Sequence, residues 1–435
     1  MTLTEFLERN KEKGPARFYM PGHKGKFPLD GAYDITEITG ADSLYHADGI
    51  IRETERRFER LYGSKATVLS AGGTTLCIQG MLAAARRKYG LRRILAARNA
   101  HVTLVNACAL LDIEPVWVYP KPYDRFGVSG SVTPEQLEAA LEKETVDAVY
   151  ITSPDYFGML SDIKGLAAVC KKHGLPLLVD NAHGAHLKFL PRDLHPLSQG
   201  ATLCCDGAHK TLPVLTGGAL LHARDDFTAG ELKAAMSLFG STSPSYLIMQ
   251  SLDACAGYLE NAARKEFSAL VKRLDKLRKS AFEKGIFVFE SEPARLSLAG
   301  APEEYHGDLA AYLREHGIEC DYAAAEAAVL MPTPFNTEEE FMLLEQAIAD
   351  FKPDEAYRGD HSLKTPCPPK RVLTPREAVF ASSEELPVDE ICGRIAAESK
   401  IACPPGVAVI VAGERVDEDS QKLLKKSGIF TLKVV

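Results

Sequence analysis

Short apolar runs alternate with amphipathic stretches along most of the chain. RRILAARNAH (92–101), EPVWVYP (114–120), DAVYITSPD (147–155) and LPLLVD (175–180) are nearly continuous in apolar residues and too short for helices. They predict strands buried on both faces. TPEQLEAALEKE (133–144) and IKGLAAVCKKHG (163–174), lying between them, read as helices. Strands of this kind joined by helices predict a three-layer α/β arrangement, a mainly parallel sheet covered on both sides. Upstream, GADSLYHADGIIRETERRFERLYG (40–63) passes from turn residues into a helix with Ile51, Phe58 and Leu61 near one face. ATVLSAGGTTLCIQGMLAAA (66–85) predicts a strand, a Gly-Gly turn and a helix opened by Thr74 and Thr75. Residues 1–15 predict a short amphipathic helix. RFYMPGHKGKF (17–27) predicts an ordered turn carrying His23 and Lys24, as plain surface or as an arm over a cleft.

Beyond Pro244 the pattern changes. Residues 243–285 predict one long helix or two in series, leaving the first domain for a second. Residues 286–300, 308–322, 328–337 and 338–351 alternate strand and helix as a small α+β domain. Residues 352–372, rich in proline and charge, read as a linker, and the tail from about 373 is another small unit with buried strands and one helix. The expected division is an arm over 1–30, a large domain over 31–260, a small α+β domain over 261–355, and a linker with a C-terminal α+β domain over 356–435.

Length agrees with that division, since 435 residues exceed one compact core. A net charge of −8 and the lack of a basic stripe with interleaved aromatics argue against a nucleic-acid partner. The ten cysteines lack zinc-site spacing, and Cys77, Cys108, Cys170 and Cys255 lie in apolar runs as reduced core thiols do. No metal site is expected. The charged N-terminus is unlike a signal peptide and no apolar run is long enough to span a membrane, which together predict a cytoplasmic protein.

In parallel sheets ligands bind beyond the carboxyl ends of the strands. His101, Ser153, Asp180 and Lys210 all fall at predicted strand ends. Lys210, in ATLCCDGAHKTLPVLTGGALLH (201–222), sits in a small-residue turn between apolar runs. Lysines in such turns are usually solvated surface. Asp180, in LPLLVDNAHGAH (175–186), supplies the second half of a pattern: an acid at a strand end, then a lysine some thirty residues on. That is the ordering of a pyridoxal phosphate site, where the acid faces the ring nitrogen and the lysine holds the aldehyde carbon. The helix opened by Thr74 and Thr75 presents unpaired N–H groups and a favourable dipole to a phosphate, although Gly-Gly junctions also serve as plain turns.

The pieces together resemble the Orn/Lys/Arg decarboxylases of the aspartate-aminotransferase-like fold, fold type I. The matching stretches are MPGHKGKF (20–27), DITEITGADSLYHADGII (34–51), RNAHVT (98–103), ITSPDYFGMLSDI (151–163), LLVDNAHGAH (177–186), DGAHKTLPVLTGGALLH (206–222), STSPSYLIMQSLD (241–253), TPREAVF (374–380) and PPG (404–406). The resemblance is to the shorter members, which lack an additional N-terminal domain. It implies that Lys210 is the Schiff-base lysine, that Asp180 pairs with the pyridine nitrogen, and that His101 and Ala182 cover the two ring faces. His183 would lie near the phenolic oxygen and the substrate carboxylate. Gly72, Gly73, Thr74 and Thr75 would hold the phosphate, aided by His209 and by Ser241 or Thr242 of a neighbouring subunit, and Ser153 joins the cofactor-binding set. The chain departs from the family at Ala71, Gly73, Asn181 and Gly207. A hydroxyl is usual at 73 and 207, so Gly207→Ser is expected to tighten the cofactor.

The implied reaction is decarboxylation of a basic L-amino acid (lysine, arginine or ornithine) by a homodimer or an assembly of dimers. Lys210, His183 and Asp180 would be its catalytic residues. The alternatives are transamination or lyase chemistry on the same fold, with Arg295 taking the substrate α-carboxylate, an inactive pyridoxal-phosphate-binding regulatory paralogue, or a purely structural role.

Overall fold

The computed structural model describes residues 16–18, 24, 37, 40–120, 122–123, 128–305, 308–324, 327–354, 369–402 and 407–435. The expected helix over 1–15, most of the 17–27 turn, most of the 352–372 linker and PPG (404–406) lie outside them.

The apolar runs form one seven-stranded sheet. In chain order its strands are β1 (Ala66–Ser70), β2 (Arg93–Ala97), β3 (Glu114–Val118), β4 (Ala148–Thr152), β5 (Leu177–Asn181), β6 (Leu203–Asp206) and β7 (Ala219–Ala223), and across the sheet they run β1-β7-β6-β5-β4-β2-β3. β7 is antiparallel to both neighbours, β1 and β6, and every other pairing is parallel. Burial on both faces is visible residue by residue. Ile94, Ala96, Ala148, Tyr150 and Leu178 enter one apolar cluster, while Leu95, Ala97, Val149, Ile151, Leu177 and Val179 enter another on the opposite face. This is the period-2 alternation of a strand with two covered faces.

The crossover helices fall where the periodicity places them: α1 (Ile50–Tyr62), α2 (Gly73–Tyr89), α3 (Val102–Leu111), α4 (Pro134–Leu141) and α5 (Ile163–Lys172). α1 buries Ile51 and Phe58. α4 starts at a capping box between Thr133 and Gln136, with proline in the first turn. Residues 243–285 resolve into two helices in series, α6 (Tyr246–Asn261) and α7 (Ala263–Glu283), separated at Ala262. They lead to a four-stranded antiparallel sheet, β8 (Phe287–Val288), β9 (Leu296–Ala299), β10 (Tyr322–Ala324) and β11 (Ala327–Leu330), in the order β8-β9-β11-β10. One apolar cluster runs from α1 through α6 and α7 into this small sheet, through Phe58, Leu252, Phe267, Leu296 and Phe341.

The C-terminal unit has its own core around Val388, Ile391, Ile410, Leu424 and Leu432. It docks beside β2 and α3. Arg98, just after β2, donates from Nη1 and Nη2 to Glu414 at 2.6 and 2.8 Å and from Nε to the Ala408 carbonyl at 3.0 Å. Both side chains of that ion pair are essentially sealed from water, at 0% and 3% exposure. Val105, Ala408 and Val411 close the apolar part of the joint.

Candidate active site

The carboxyl ends of β2, β4, β5 and β6 converge on a cavity of about 400 Å³. Thr74, His101, Asp180, Ala182, His183 and Lys210 line it. Residues far apart in sequence therefore meet where the strand-end argument places them.

Asp180 closes β5. Its carboxylate accepts the Tyr150 hydroxyl and the Ala182 N–H, each at 3.1 Å. Beneath it a buried network holds the strand ends in place. Asp206 accepts from His195 at 3.0 Å, from His222 at 3.3 Å and from Asn181 Nδ2 at 2.7 Å. His195, Asp206 and His222 lie close enough together to hold a metal ion, but hydrogen bonds already account for each of them. The network also explains Asn181. An amide can donate to Asp206, whereas a carboxylate at this position would face it with a second negative charge.

Lys210 sits in a single helical turn, Ala208–Thr211, after β6, with Nζ 2.8 Å from His183 Nε2. Removal from water pulls the lysine pKa below its ordinary value, against the opposing charges of Asp180 and Asp321. His183 is held well below the usual imidazole range, first by burial and then by Lys210 and Arg295. Arg295 fixes the direction of the bonds. A guanidinium only donates, so His183 Nδ1, 3.4 Å from Arg295 Nη1, must accept. The imidazole proton is then on Nε2, directed at the Lys210 amine. Arg295 also donates to the carbonyls of His183 (3.2 Å) and Tyr156 (3.1 Å), and lies 3.6 Å from Glu292. It is 1% exposed. A carboxylate-binding arginine must be reachable, so the expectation for Arg295 under transamination is not met.

Gly72 caps α2, and Gly73 opens it at φ 69° while donating to the Gly217 carbonyl at 2.7 Å. At that φ any side chain is strained, which is why glycine stands there. The Thr74 and Thr75 N–H groups are in the first turn, free of intrahelical partners. His101 caps α3, accepting the Thr103 N–H at 3.2 Å. Gly207 corrects an expectation. A Cβ there would lie 2.4 Å from the Ala182 carbonyl oxygen and 3.2 Å from Lys210 Cδ, so a serine does not fit without displacing the site.

Not every expected residue reaches the cavity. The Ser153 hydroxyl accepts the Ser161 N–H at 3.0 Å, and its own N–H braces the Asp180 carbonyl at 2.9 Å. His209 pairs through Nδ1 with the Gly218 carbonyl at 3.0 Å. Ser241 and Thr242 are exposed. Ser241 lines a separate cleft of about 320 Å³ with Gly72 and Thr75 on its other side. Conversely, the cavity gains Asn99, Thr152, Asp155 and Tyr156 from the strand-end loops, and Ser399, Lys400 and Ile401 from the C-terminal unit. The loop residues lie inside the family-like stretches and were within reach of the strand-end argument. Nothing local marks Ser399–Ile401, which arrive by docking.

Residues 2–297 match the family description Orn/Lys/Arg decarboxylase, major domain, and residues 361–426 match Orn/Lys/Arg decarboxylase, C-terminal domain. The chain belongs to the Orn/Lys/Arg decarboxylase family. As an Orn/Lys/Arg decarboxylase it is 27% identical to arginine decarboxylase of Halalkalibacterium halodurans, over 95% of this chain and 90% of the relative. It is 26% identical to arginine decarboxylase of Bacillus subtilis, over 97% and 92%. The constitutive lysine decarboxylase of Escherichia coli superposes with a TM-score of 0.76 at 16% identity, covering 99% of this chain and 81% of that one. Serine palmitoyltransferase of Sphingomonas wittichii superposes at 0.55 with 15% identity, covering 71% and 77%. The α/β architecture is fold type I, and the family's chemistry is decarboxylation of a basic amino acid.

Proposed function

We propose that the chain decarboxylates a basic L-amino acid with pyridoxal phosphate, using Lys210, His183 and Asp180. The observation that carries this reading is the Lys210–His183 pair, 2.8 Å apart, in a cavity that also holds a fixed carboxylate. The cavity's donors suit the cofactor. Lys210 offers an amine whose charged form burial disfavours, the first turn of α2 offers N–H groups to a phosphate, and Asp180 offers a negative charge to a ring cation. Asn99 Oδ1 and Thr152 Oγ1 are buried polar atoms without a partner among the described residues, and both residues line the cavity. A polar ligand would satisfy them.

The cofactor, when bound, supplies an electron sink for the bonding pair released with carbon dioxide. The remaining work belongs to the chain. Lys210 would tether the cofactor and yield its place to the substrate amine. Asp180, held by Tyr150 and the Ala182 N–H, would keep a proton on the ring nitrogen. His101 and Ala182 would restrain the ring from either face. His183, bearing its proton on Nε2, would return a proton to the substrate carbon either directly or through Lys210. The burial and engagement of Arg295 speak against its holding a substrate carboxylate, the part transamination would ask of it.

Carbon dioxide release from lysine, arginine and ornithine tests the reading. Wild type should turn over at least one of them with added cofactor, and Lys210→Ala should abolish both turnover and the cofactor's absorption band. An unchanged band in that variant would remove Lys210 from its role. The functional unit is proposed to be a two-fold dimer, with the exposed Ser241–Thr242 segment serving the phosphate end of the neighbouring site. Sedimentation should find a dimer or larger, and full activity in a monomer would refute it.

A further inference from the structure

A sealed guanidinium beside a reacting pair needs a reason to be there, because burying a charge is costly unless several acceptors meet it. Arg295 reaches the site from the small domain, at the end of the connection between β8 and β9, and that connection is fastened from two sides. Arg278 on α7 donates from Nη2 to the carbonyls of Pro293 at 2.7 Å and Arg295 at 2.6 Å. On the large-domain side, the Gly158 carbonyl accepts the Glu292 N–H and the Phe157 carbonyl accepts the Ser297 hydroxyl, each at 2.7 Å. Gly158 has φ 86°, and a Cβ there would lie 2.7 Å from Arg295 Cγ, so the turn after β4 is shaped to let the arginine stem pass. Glu292, itself held by His186 at 3.0 Å and the Ala294 N–H at 2.7 Å through one oxygen, places the other 3.6 Å from Arg295 Nε.

This frame delivers a donor to His183 Nδ1 at 3.4 Å. An imidazole can carry its single proton on either nitrogen, and the bond made by one nitrogen sets the other. Facing a group that only donates, Nδ1 accepts, and the proton goes to Nε2, 2.8 Å from Lys210 Nζ. The same positive charge disfavours a second proton on the ring, after burial and Lys210, and His101 and His209 act in the same sense. Asp155, Tyr156 and Asp180 line the same cavity, with Asp321 bonded to the Tyr156 hydroxyl and Glu292 behind the guanidinium. The Tyr156 ring meets His183 edge-on, with centroids 5.1 Å apart.

We infer that Arg295, delivered by the small domain, is a positioning residue for the reaction: by donating to Nδ1 it keeps the His183 proton on Nε2, aimed at Lys210. On the decarboxylase reading above, that is the proton His183 would return to the substrate carbon. Arg295 touches neither substrate nor reacting atoms in this role and acts through the imidazole alone. The small domain thereby contributes to the chemistry without lending a side chain to the cavity wall.

Histidine-labelled full-length protein without added cofactor gives the test, because long-range proton–nitrogen correlation spectra separate the two neutral tautomers from the imidazolium. His183→Gln assigns the signal. Wild-type His183 should show the Nε2–H form at neutral pH. In Arg295→Met it should become a mixture of tautomers and titrate at higher pH, since a neighbouring cation has been removed. Arg295→Gln, equally uncharged, serves should the methionine variant not fold. Arg295→Lys keeps the buried charge and should hold His183 neutral. With pyridoxal phosphate and a basic substrate, kcat of the uncharged variants should fall roughly 10- to 100-fold, at the lower end of general acid–base assistance, while KM stays within about threefold. Arg295→Lys should recover part of that loss. An unchanged His183 spectrum in both uncharged variants would overturn the proposal, whatever happens to turnover. So would a raised KM at unchanged kcat, the mark of a residue that binds substrate. A wild type inactive on lysine, arginine and ornithine would defeat the decarboxylase reading instead, and the spectra would still decide what Arg295 does to His183.

Discussion

Removing the charge of Glu414 should loosen the C-terminal unit and, with it, one wall of the cavity. In Glu414→Gln the side chain keeps its shape, but its amide faces a guanidinium that has no other ion-pair partner among the described residues. Arg98 is 0% exposed, so its charge stays buried and uncompensated. Breaking one partner of such a pair costs about 3–5 kcal/mol, well above the value of a surface bridge. Two hydrogen bonds to Arg98 and one from the Val411 N–H converge on Glu414. The loss therefore falls on the contact that seats β2 against residues 408–411. Expressed as local opening, that cost raises the open population by roughly two to four orders of magnitude. Limited proteolysis reads this directly, because cleavage tracks the open population when opening is fast. Cleavage within 369–435 should accelerate by that factor, and KM should rise in step, since Ser399, Lys400 and Ile401 line the cavity. Arg98→Met combined with Glu414→Leu replaces the pair by apolar groups and should recover most of the protection. Cleavage of Glu414→Gln within threefold of wild type, or a double variant no better than the single one, would refute the reasoning.

Two further outcomes follow from the site's packing and charge. Gly207→Ser should lower the thermal midpoint and weaken cofactor binding, because its Cβ meets the Ala182 oxygen at 2.4 Å; the overpacking cost is about 1–3 kcal/mol, and cofactor titration showing equal or tighter binding would contradict it. Asp155 titrates near 7 when folded against 3.8 as the ordinary value, so its contribution to stability is fully present below about pH 4 and lost as pH rises through 7. Wild type should therefore lose about 4 kcal/mol relative to Asp155→Asn across that window, and a pH-independent difference in their thermal midpoints would show that Asp155 is not the group responsible.

The central sheet and its site were legible because their signals are local. A strand apolar on both faces declares itself in five residues, as at Leu177–Asn181, and the polar residue that ends it marks the ligand edge. His101, Asp180 and Lys210 could be named on that basis, Thr74 from the helix start after the Gly-Gly turn and His183 from the family resemblance, and all five line the cavity. What could not be read depends on atoms distant in sequence. Gly207 looked like a missing hydroxyl until the Ala182 carbonyl was seen against it. Arg295 looked like a carboxylate binder, but its guanidinium is turned inward onto His183 and Tyr156. Ser153 shares the strand-end position of the others, yet spends its hydroxyl on the Ser161 N–H. The C-terminal wall depends on an Arg98–Glu414 pair separated by 316 positions, a distance at which residue patterns carry no information about contact.

The position of β1 at the sheet's edge bears on how the protein is made. β1 leads into the Gly72–Gly73 turn, yet among the described residues its only neighbour in the sheet is β7, the last strand of this sheet to be synthesised. Gly73 is likewise tied to Gly217, just ahead of β7. On the ribosome the seat for an anion therefore has no scaffold until the chain has passed residue 223, by which time Lys210 has also emerged. The proposed anion seat and the proposed Schiff-base lysine mature together, so a nascent chain does not present the one without the other.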